Sequence, residues 1–200
     1  GKELKTVAEI DASVSDLMTS ARLYMYGLQF TYNPHRMILN RVTDVYLLDA
    51  DGNRRELEDD KMYRVVADLY SGQMLSAVTK TSYGLLSVVP KKADGTPIEN
   101  FEDVILTDNG GELKAWTAIA HYMESFPDEN GDGIADIPQY YAGLHERKVV
   151  DDSSDLIKLI KNPNKYAVMI AGIVLIAILL VVLLIRLVLK LVKYRTGKSL

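Results

Sequence analysis

The stretch AVMIAGIVLIAILLVVLLI, residues 167–185, is apolar throughout and decides the architecture of the chain. As a helix rising about 1.5 Å per residue it would be about 28 Å long, close to the hydrocarbon thickness of a bilayer. The alternative is a helix buried in a large soluble protein, but the other residues have ordinary polarity and could not surround so uniform a cylinder. The sequence therefore predicts a single transmembrane helix, covering residues 166–192 with its flanks.

The charges around this run predict its orientation in the lipid bilayer. Five basic residues and no acidic ones follow it: Arg186, Lys190, Lys193, Arg195 and Lys198. Lysines also precede it within residues 158–165, but aspartates accompany them within residues 151–155. Positively charged flanks stay on the cytoplasmic side during insertion. We therefore expect a single-pass protein of the cell membrane, with residues 193–200 as a basic cytoplasmic tail and the bulk of the chain extracellular.

The remaining composition narrows the classes of function. Residues 1–165 hold all 27 acidic residues and 18 of the 23 basic ones, which gives them a formal charge of −9. A domain this acidic is not expected to bind nucleic acid. The chain has no cysteine, so disulfides, a thiol nucleophile and a cysteine metal site are excluded. External domains without disulfides are more typical of bacteria than of animals, which favours a bacterial cell surface.

The chain begins with Gly1 and a polar segment rather than with Met and an apolar signal region. A single-span protein with an external N-terminus normally needs such a signal. We therefore expect the chain to be the C-terminal part of a longer protein. The alternative is a short protein inserted by its C-terminal helix, which would place the bulk of the chain in the cytoplasm.

Hydrophobic periodicity outlines the domain that precedes the apolar run. It predicts helices at residues 2–19, 69–79 and 111–126, and strands at residues 24–32, 41–48, 62–67 and 85–89. Helices and strands are mixed without strict alternation, so we expect an α+β or mixed α/β domain over residues 1–141. Residues 142–165 are polar and charged, and are predicted to form a stalk or linker that leads to the membrane.

Four short motifs stand in order within the first 90 residues: GKELK at 1–5, YGLQFTYN at 26–33, RVTDV at 41–45 and MYRVV at 62–66. They resemble the Gly-Lys-x-Leu-Lys, Ser-Gly-Leu-x-Phe-x-Tyr-Asp, Arg-Val-x-Asp-Val and Tyr-x-Val segments of the C-terminal domain of the 5'-nucleotidase family. Members of that family are periplasmic or cell-surface phosphoesterases that act on nucleotides. Their first helix is normally preceded by a strand of the same domain, so the resemblance implies that the domain is N-terminally truncated here.

The resemblance also implies a division of labour. In that family the C-terminal domain provides the nucleoside pocket, and a separate upstream metallophosphatase domain with a divalent metal pair performs hydrolysis. The family usually carries a Gly-Gly-Asp-Gly-aromatic loop whose ring stacks on the base, whereas residues 68–74 here read DLYSGQM. Tyr70 or Tyr83 could supply a substrate-binding ring instead, since aromatic faces stack on any base. The alternative is that both are core or strand-end tyrosines.

The sequence itself predicts no catalytic centre in this chain. The three histidines, His35, His121 and His145, stand far apart and form no His-x-His or Asp-x-His pair of the kind that binds two metal ions. No Gly-x-Ser-x-Gly nucleophile motif is present either. Hydrolysis would therefore depend on the catalytic domain of the parent protein.

One acidic loop, DENGDGIAD at residues 128–136, has the spacing of a calcium-binding loop. The expected ligands are the side chains of Asp128, Asn130, Asp132 and Asp136 and the carbonyl of Ile134. The twelfth position, however, is Gln139 rather than a bidentate glutamate. The loop is predicted to bind a structural calcium ion, with a solvated turn rich in Asp, Asn and Gly as the alternative.

Two functional hypotheses follow. In the first, the chain is the substrate-binding and membrane-anchoring part of an extracellular 5'-nucleotidase-like phosphoesterase that hydrolyses nucleotides. Its partners would be a nucleotide or nucleoside, the upstream metallophosphatase domain and the lipid bilayer. In the second, the chain is a non-catalytic cell-surface module for ligand binding or adhesion on the same fold. The departure from the Gly-Gly-Asp-Gly loop favours the second hypothesis.

Overall fold

The computed structural model describes residues 1–14, 25–49, 51–82 and 84–196. Its helices are α1 (Lys2–Val14), α2 (Leu69–Thr81), α3 (Ala115–Glu124), α4 (Leu156–Ile160) and α5 (Lys165–Thr196). Its strands are β1 (Leu28–Tyr32), β2 (Val42–Leu48), β3 (Arg54–Glu56), β4 (Thr107–Asp108), β5 (Gly111–Glu112) and β6 (Lys148–Val150). Short 3-10 helices cover Phe101–Val104 and Gln139–Ala142. The prediction of an α+β domain followed by one long apolar helix is confirmed.

A four-stranded sheet in the order β3-β2-β1-β6 forms the centre of the domain. Strand β1 runs antiparallel to β2 and parallel to β6, so Phe30 is paired with Val45 on one side and with Lys148 on the other. Leu28 and Phe30 alternate with less buried neighbours, as the period of two in the sequence predicts. The two strands predicted at 24–32 and 41–48 are thus found at residues 28–32 and 42–48, and Tyr24 lies outside the described residues.

Helix α1 packs between this sheet and the segment after α2. Ala8 and Ala12 lie against Phe30, while Val7 and Ile10 lie against Val88. Alanine on the sheet side allows the helix backbone to approach the strands closely. The predicted continuation of this helix over residues 15–19 falls outside the described residues.

Two buried carboxylates fix α1 against the strands. Glu9 accepts hydrogen bonds from the backbone N–H groups of Arg41 (2.7 Å) and Val42 (3.0 Å) and from the Ser13 hydroxyl (2.9 Å). Asp11, which is almost fully buried, forms an ion pair with Lys148 of β6 at 2.5 Å. Buried charged groups are tolerated when they are paired in this way. Helix α1 is therefore tied to both β2 and β6 by charge as well as by apolar packing.

The two strands predicted at residues 62–67 and 85–89 are not found, and neither segment pairs with a strand in the described part of the chain. Strand β3 pairs with β2, and the β-branched residues Val65 and Val66 are exposed in a segment without strand structure. At residues 85–89 the backbone is bonded to side chains instead, since Leu86 N–H donates to Ser82 Oγ (3.0 Å) and Val88 N–H to Thr79 Oγ1 (3.0 Å). Strand composition was present in both segments, but a pairing partner was not.

The predicted helix at 111–126 is shorter than expected and sits on the surface. Residues 107–108 and 111–112 pair as a small hairpin, and α3 begins only at Ala115. None of the residues of α3, all of which the structure describes, is buried, and the side chain of Trp116 is 72% exposed. The apolar stripe that predicts the helix therefore does not pack into the core.

Residues 148–164, which the sequence predicts as part of a stalk, hydrogen-bond to the domain. They supply strand β6, and Asn33 Nδ2 donates to the carbonyl of Ser153 (2.7 Å). Asn164 then caps α5, because its side-chain oxygen accepts from the N–H groups of Tyr166 and Ala167, both at 3.0 Å. Tyr166 and Ala167 are themselves buried. The long helix thus starts directly on the domain surface.

Helix α5 is the one helix in the described part of the chain that is long and apolar enough to cross a membrane. The qualifying segment is Lys165–Tyr194, with a mean hydropathy of 3.5 in its most apolar window. Beyond the first turn of α5, its apolar side chains are largely exposed on the protein surface. A helix with this composition on every face needs an apolar environment to surround it.

Candidate functional site

Tyr70 lies in the first turn of α2, where the resemblance led us to expect a glycine-rich loop. The helix starts there because Asp68 is its N-cap, accepting hydrogen bonds from Ser71 N–H (2.8 Å) and Ser71 Oγ (2.6 Å). These bonds, that of the hydroxyl first, lower the pKa of Asp68 below its ordinary value. The Tyr70 side chain is 61% exposed, so its ring is accessible to a ligand. Its role in stacking stays a prediction, and Tyr83 lies outside the described residues.

Gly72 allows α2 to lie close to the 3-10 helix that follows. A Cβ atom on Gly72 would stand 2.9 Å from Cε1 of Phe101, so a larger residue would require the Phe101 ring or the helix to shift. The close packing of α2 against Phe101 therefore depends on the small residue at position 72.

The acidic loop at residues 128–136 is organised around the carboxylate of Asp128. One of its oxygens accepts from Gly131 N–H (2.6 Å) and Asp132 N–H (3.2 Å), and the other from Gly133 N–H (2.8 Å). These bonds, with that from Gly133 contributing most, lower the pKa of Asp128. Gly131 and Gly133 both have positive φ, which glycine adopts without strain. The loop is therefore well ordered by its own backbone donors.

The other predicted calcium ligands also accept backbone bonds. Asn130 Oδ1 accepts from Asp132 N–H (2.9 Å), Asp132 Oδ1 from Ile134 N–H (2.8 Å) and Asp136 Oδ2 from Glu129 N–H (2.8 Å). Each oxygen keeps a further lone pair for a hard cation. Gln139, at the twelfth position, begins a 3-10 helix. Among the described residues, no group of three or more His, Asp or Glu side chains converges as a metal site. Calcium binding stays a prediction.

The three histidines are separate in space and have different neighbours. His35 Nε2 lies 2.8 Å from the Asp152 carboxylate, and His121 Nδ1 lies 3.9 Å from that of Asp108. The His145 ring lies 4.2 Å, between centroids, from the ring of Tyr140. Their positions therefore bring no two of them to one shared carboxylate.

An aromatic cluster, consisting of Tyr122, Phe126, Tyr140, Tyr141 and His145, is a feature that the sequence analysis did not identify. Edge-to-face contacts join Tyr122 with Phe126 at 5.1 Å and Tyr140 with Tyr141 at 5.1 Å, between ring centroids. The hydroxyls of Tyr122 and Tyr141 are hydrogen-bonded, which raises the pKa of Tyr141 to about 12. In the sequence, the cluster is indicated only by the adjacent tyrosines at 140–141, because their contact with α3 depends on the tertiary fold.

The cluster is accessible rather than buried. Tyr122, Tyr140 and Tyr141 are all exposed, with 57% of Tyr140 open to solvent. Exposed ring faces can stack on planar ligands such as bases. Tyr70 and this cluster are therefore both accessible to a ligand.

Comparison with known proteins supports the resemblance seen in the motifs. The family model for the 5'-nucleotidase C-terminal domain matches residues 1–78. No curated protein and no solved structure matches the chain. The matched residues include α1, β1, β2 and β3, together with Tyr70 in the first turn of α2. The family match thus covers the segment that holds all four motifs, in agreement with the resemblance that they carry.

Proposed function

We propose that this chain is the substrate-binding and membrane-anchoring part of an extracellular 5'-nucleotidase-like phosphoesterase that hydrolyses nucleotides. The observation that carries the proposal is the family match at residues 1–78 in a chain that also holds the apolar helix α5. Catalysis would be supplied by a metallophosphatase domain of the parent protein, with a divalent metal pair that polarises the phosphate and activates water. The part of the reaction assigned to this chain is recognition of the nucleoside.

In this proposal α5 spans the bilayer and holds the domain at the outer face of the cell membrane. The length and hydropathy of Lys165–Tyr194 support spanning, and the cations after residue 185 support a cytoplasmic C-terminus. Anchoring would keep the binding domain, and the catalytic domain with it, where external nucleotides arrive.

Tyr70 is the residue we assign to base stacking. Its ring is exposed at the start of α2, within the family-matched segment. Loss of one base–aromatic stack costs about 1–3 kcal/mol, which corresponds to a rise in Kd of about 5-fold to 150-fold. Tyr140 has nearly the same exposure, 57% against 61% for Tyr70, but lies outside the matched segment. It is therefore a matched control for a tyrosine-to-alanine substitution.

Titration of the chain in lipid nanodiscs with adenosine and other nucleosides tests this assignment. We expect binding that Tyr70→Ala weakens and Tyr140→Ala leaves unchanged. If Tyr140→Ala weakens binding and Tyr70→Ala does not, the base stacks on the aromatic cluster and the Tyr70 assignment is wrong. In the gene, the upstream reading frame should encode metallophosphatase motifs such as Asp-x-His and Gly-Asn-His-Glu, and their absence would contradict the enzyme proposal.

A second candidate function is a non-catalytic surface module for ligand binding or adhesion. It is favoured by the segment after residue 67, where helix α2 begins at Leu69 in place of a glycine-rich loop. Indifference of the chain to every nucleoside in the same titration would support this candidate over the first.

A further inference from the structure

Five large apolar side chains are exposed beside the start of α5. They lie in helix α4 and in the loop between β1 and β2: Leu156, Ile157, Ile160, Met37 and Ile38. We call this set the interfacial seat. Clusters of exposed apolar residues of this kind mark surfaces that are covered in the working protein.

Helix α4 presents an apolar face outward. Residues 156, 157 and 160 fall within about 100° of each other on a helix of 3.6 residues per turn. Leu159, about 60° from Leu156 around the helix, is the one residue of α4 that is half-buried. The three exposed apolar side chains therefore share one side of the helix.

Arg36 holds α4 in this orientation. Its buried guanidinium donates to the carbonyls of Lys158 (2.5 Å) and Lys161 (3.0 Å) at the end of α4, and its Nε donates to the carbonyl of Asn40 (2.6 Å). A cation at the C-terminus of a helix also opposes the helix dipole favourably. Helix α4 and the 36–40 loop are thus joined into one unit.

The start of α5 is attached to the same loop. The side-chain amide of Asn164 donates to the carbonyl of Leu39 (2.5 Å), and Asn164 N–H donates to Asn40 Oδ1 (2.9 Å). Only four peptide steps separate Lys161 from Lys165, a span of at most roughly 14 Å. Since Tyr166 and Ala167 are buried against the domain, no free spacer lies between the domain and the apolar run.

We propose that the interfacial seat lies in the headgroup layer of the bilayer and contacts phospholipid directly. This inference rests on the proposed spanning role of α5. A domain fixed without a spacer to the first turn of a spanning helix must face the membrane with the surface around that turn. Apolar side chains there enter the boundary between headgroups and acyl chains, to a depth of about 5–10 Å.

The charges around the seat fit a phospholipid surface. Lys158, Lys161 and Lys165 are exposed within or next to the seat, where their ammonium groups can reach lipid phosphates. The Lys158 ammonium lies 3.9 Å from the Asp151 carboxylate, a distance that leaves it room to turn toward a phosphate. An apolar face bordered by lysines is the usual composition of a helix that lies in the membrane interface.

Three single-cysteine variants of the full chain test the proposal, because the native chain has no cysteine. Ile157→Cys reports on the seat, and Ile134→Cys in the acidic loop is its control, since the two isoleucines are 70% and 71% exposed. Ile176→Cys reports on α5. Each variant is labelled with an environment-sensitive fluorophore and reconstituted in vesicles containing phospholipids brominated near the headgroup end or near the middle of the acyl chain.

We expect lipids brominated near the headgroup to quench about half of the emission at residue 157, because an interfacial side chain lies at that depth, and to leave residue 134 unquenched. Residue 176 should be quenched by the deeply brominated lipid. If residue 176 is quenched while residue 157 behaves as residue 134 does, the seat is wrong and anchoring by α5 stands. A label at 157 that is shielded only at high protein density, without lipid quenching, would indicate a second copy and overturn the seat. An unquenched label at 176 would contradict the proposed anchoring itself.

Discussion

Helices α1 and α3 are both amphipathic in sequence, yet α1 is buried along most of its length and α3 has no buried residue. In both helices the burial of side chains differs from what their polarity predicts. Helix α1 buries polar side chains, among them Glu9, Asp11 and Ser13, whereas α3 leaves Trp116 and Ile119 in solvent. Burial in this chain therefore follows from what lies opposite each helix, not from the hydrophobicity of the helix alone.

The same contrast divides the domain into two regions. The inner region comprises α1, the four-stranded sheet and the junction with α5, and most of it falls in the family-matched segment. The outer region is residues 89–147, all described, in which no residue is buried. Cooperative stability should therefore reside in the inner region, while the outer region provides accessible features such as the aromatic cluster and the acidic loop.

Replacement of Phe30 should cause the largest loss of stability in the inner region. Phe30 is fully buried between α1 and the strands, so Phe30→Ala should lower the free energy of unfolding by about 3–5 kcal/mol. Trp116→Ala, in the outer region, should change it by less than about 0.5 kcal/mol. Urea unfolding of the chain in detergent micelles, followed by near-ultraviolet circular dichroism, measures both. Equal losses for the two variants would abolish the distinction between the regions.

Replacement of Glu9 tests whether buried charge also stabilises the inner region. Glu9→Ala removes the acceptor for the N–H groups of Arg41 and Val42, and each unsatisfied buried donor costs about 1–3 kcal/mol. We therefore expect a loss of about 2–4 kcal/mol in the same unfolding measurement. Glu99→Ala, at an exposed position of the outer region, is the control and should be nearly neutral. A neutral Glu9→Ala would mean that its bonds do not hold α1 to β2.

Sequence reasoning predicted the local elements of the inner region well, because their patterns are short-range. The alternation around Phe30 and the strand predicted at 41–48 are found there, as is the helix predicted at 69–79 next to this region. The parallel pairing of β6 with β1 was missed, since three residues in a charged segment carry no periodic signal and their partner is more than 100 residues away. Residues 62–67 have strand composition but pair with no strand in the described part of the chain.

The candidate site was less predictable than the fold. The apolar stripe of α3 predicts a helix but cannot say whether anything covers it. The aromatic cluster joins residues from α3 and from 139–145, so it exists only in three dimensions. Tyr70 and the acidic loop can be located from the sequence, whereas their ligands have to be identified by binding measurements.

The cap at the start of α5 provides a smaller test of the junction. Asn164→Ala removes the acceptor for two helix N–H groups and the side-chain bond to the carbonyl of Leu39, and should cost about 1–2 kcal/mol. Asn100→Ala removes the cap of the 3-10 helix in the outer region and should cost less than about 0.5 kcal/mol. Thermal unfolding in nanodiscs compares them. A larger loss of stability in Asn100→Ala than in Asn164→Ala would contradict the assignment of the stabilising contacts to the inner region.

The smallest expected effect is the acid response of the loop at 128–136. Backbone N–H groups, that of Gly133 first, hold the pKa of Asp128 below the ordinary value of 3.8 in the folded protein. The ionised carboxylate therefore stabilises the loop above that value, and this contribution is lost as the pH falls through the lower folded pKa. An NMR titration of the Gly133 amide should show a midpoint below 3.8, and Asp128→Asn should abolish it. A midpoint at or above 3.8 would contradict these bonds.

The sheet and the first turn of α5 form one folded unit, to which residues 148–167 belong. Hydrogen exchange of the chain in lipid nanodiscs, resolved by mass spectrometry, tests it most directly, because slow exchange reports membership of a cooperative unit. We predict that the amides of β6, Tyr166 and Ala167 exchange as slowly as those of β1, and much more slowly than those of α3. Exchange at residues 148–167 as fast as in α3 would show that this segment is a loose tether and would contradict the account.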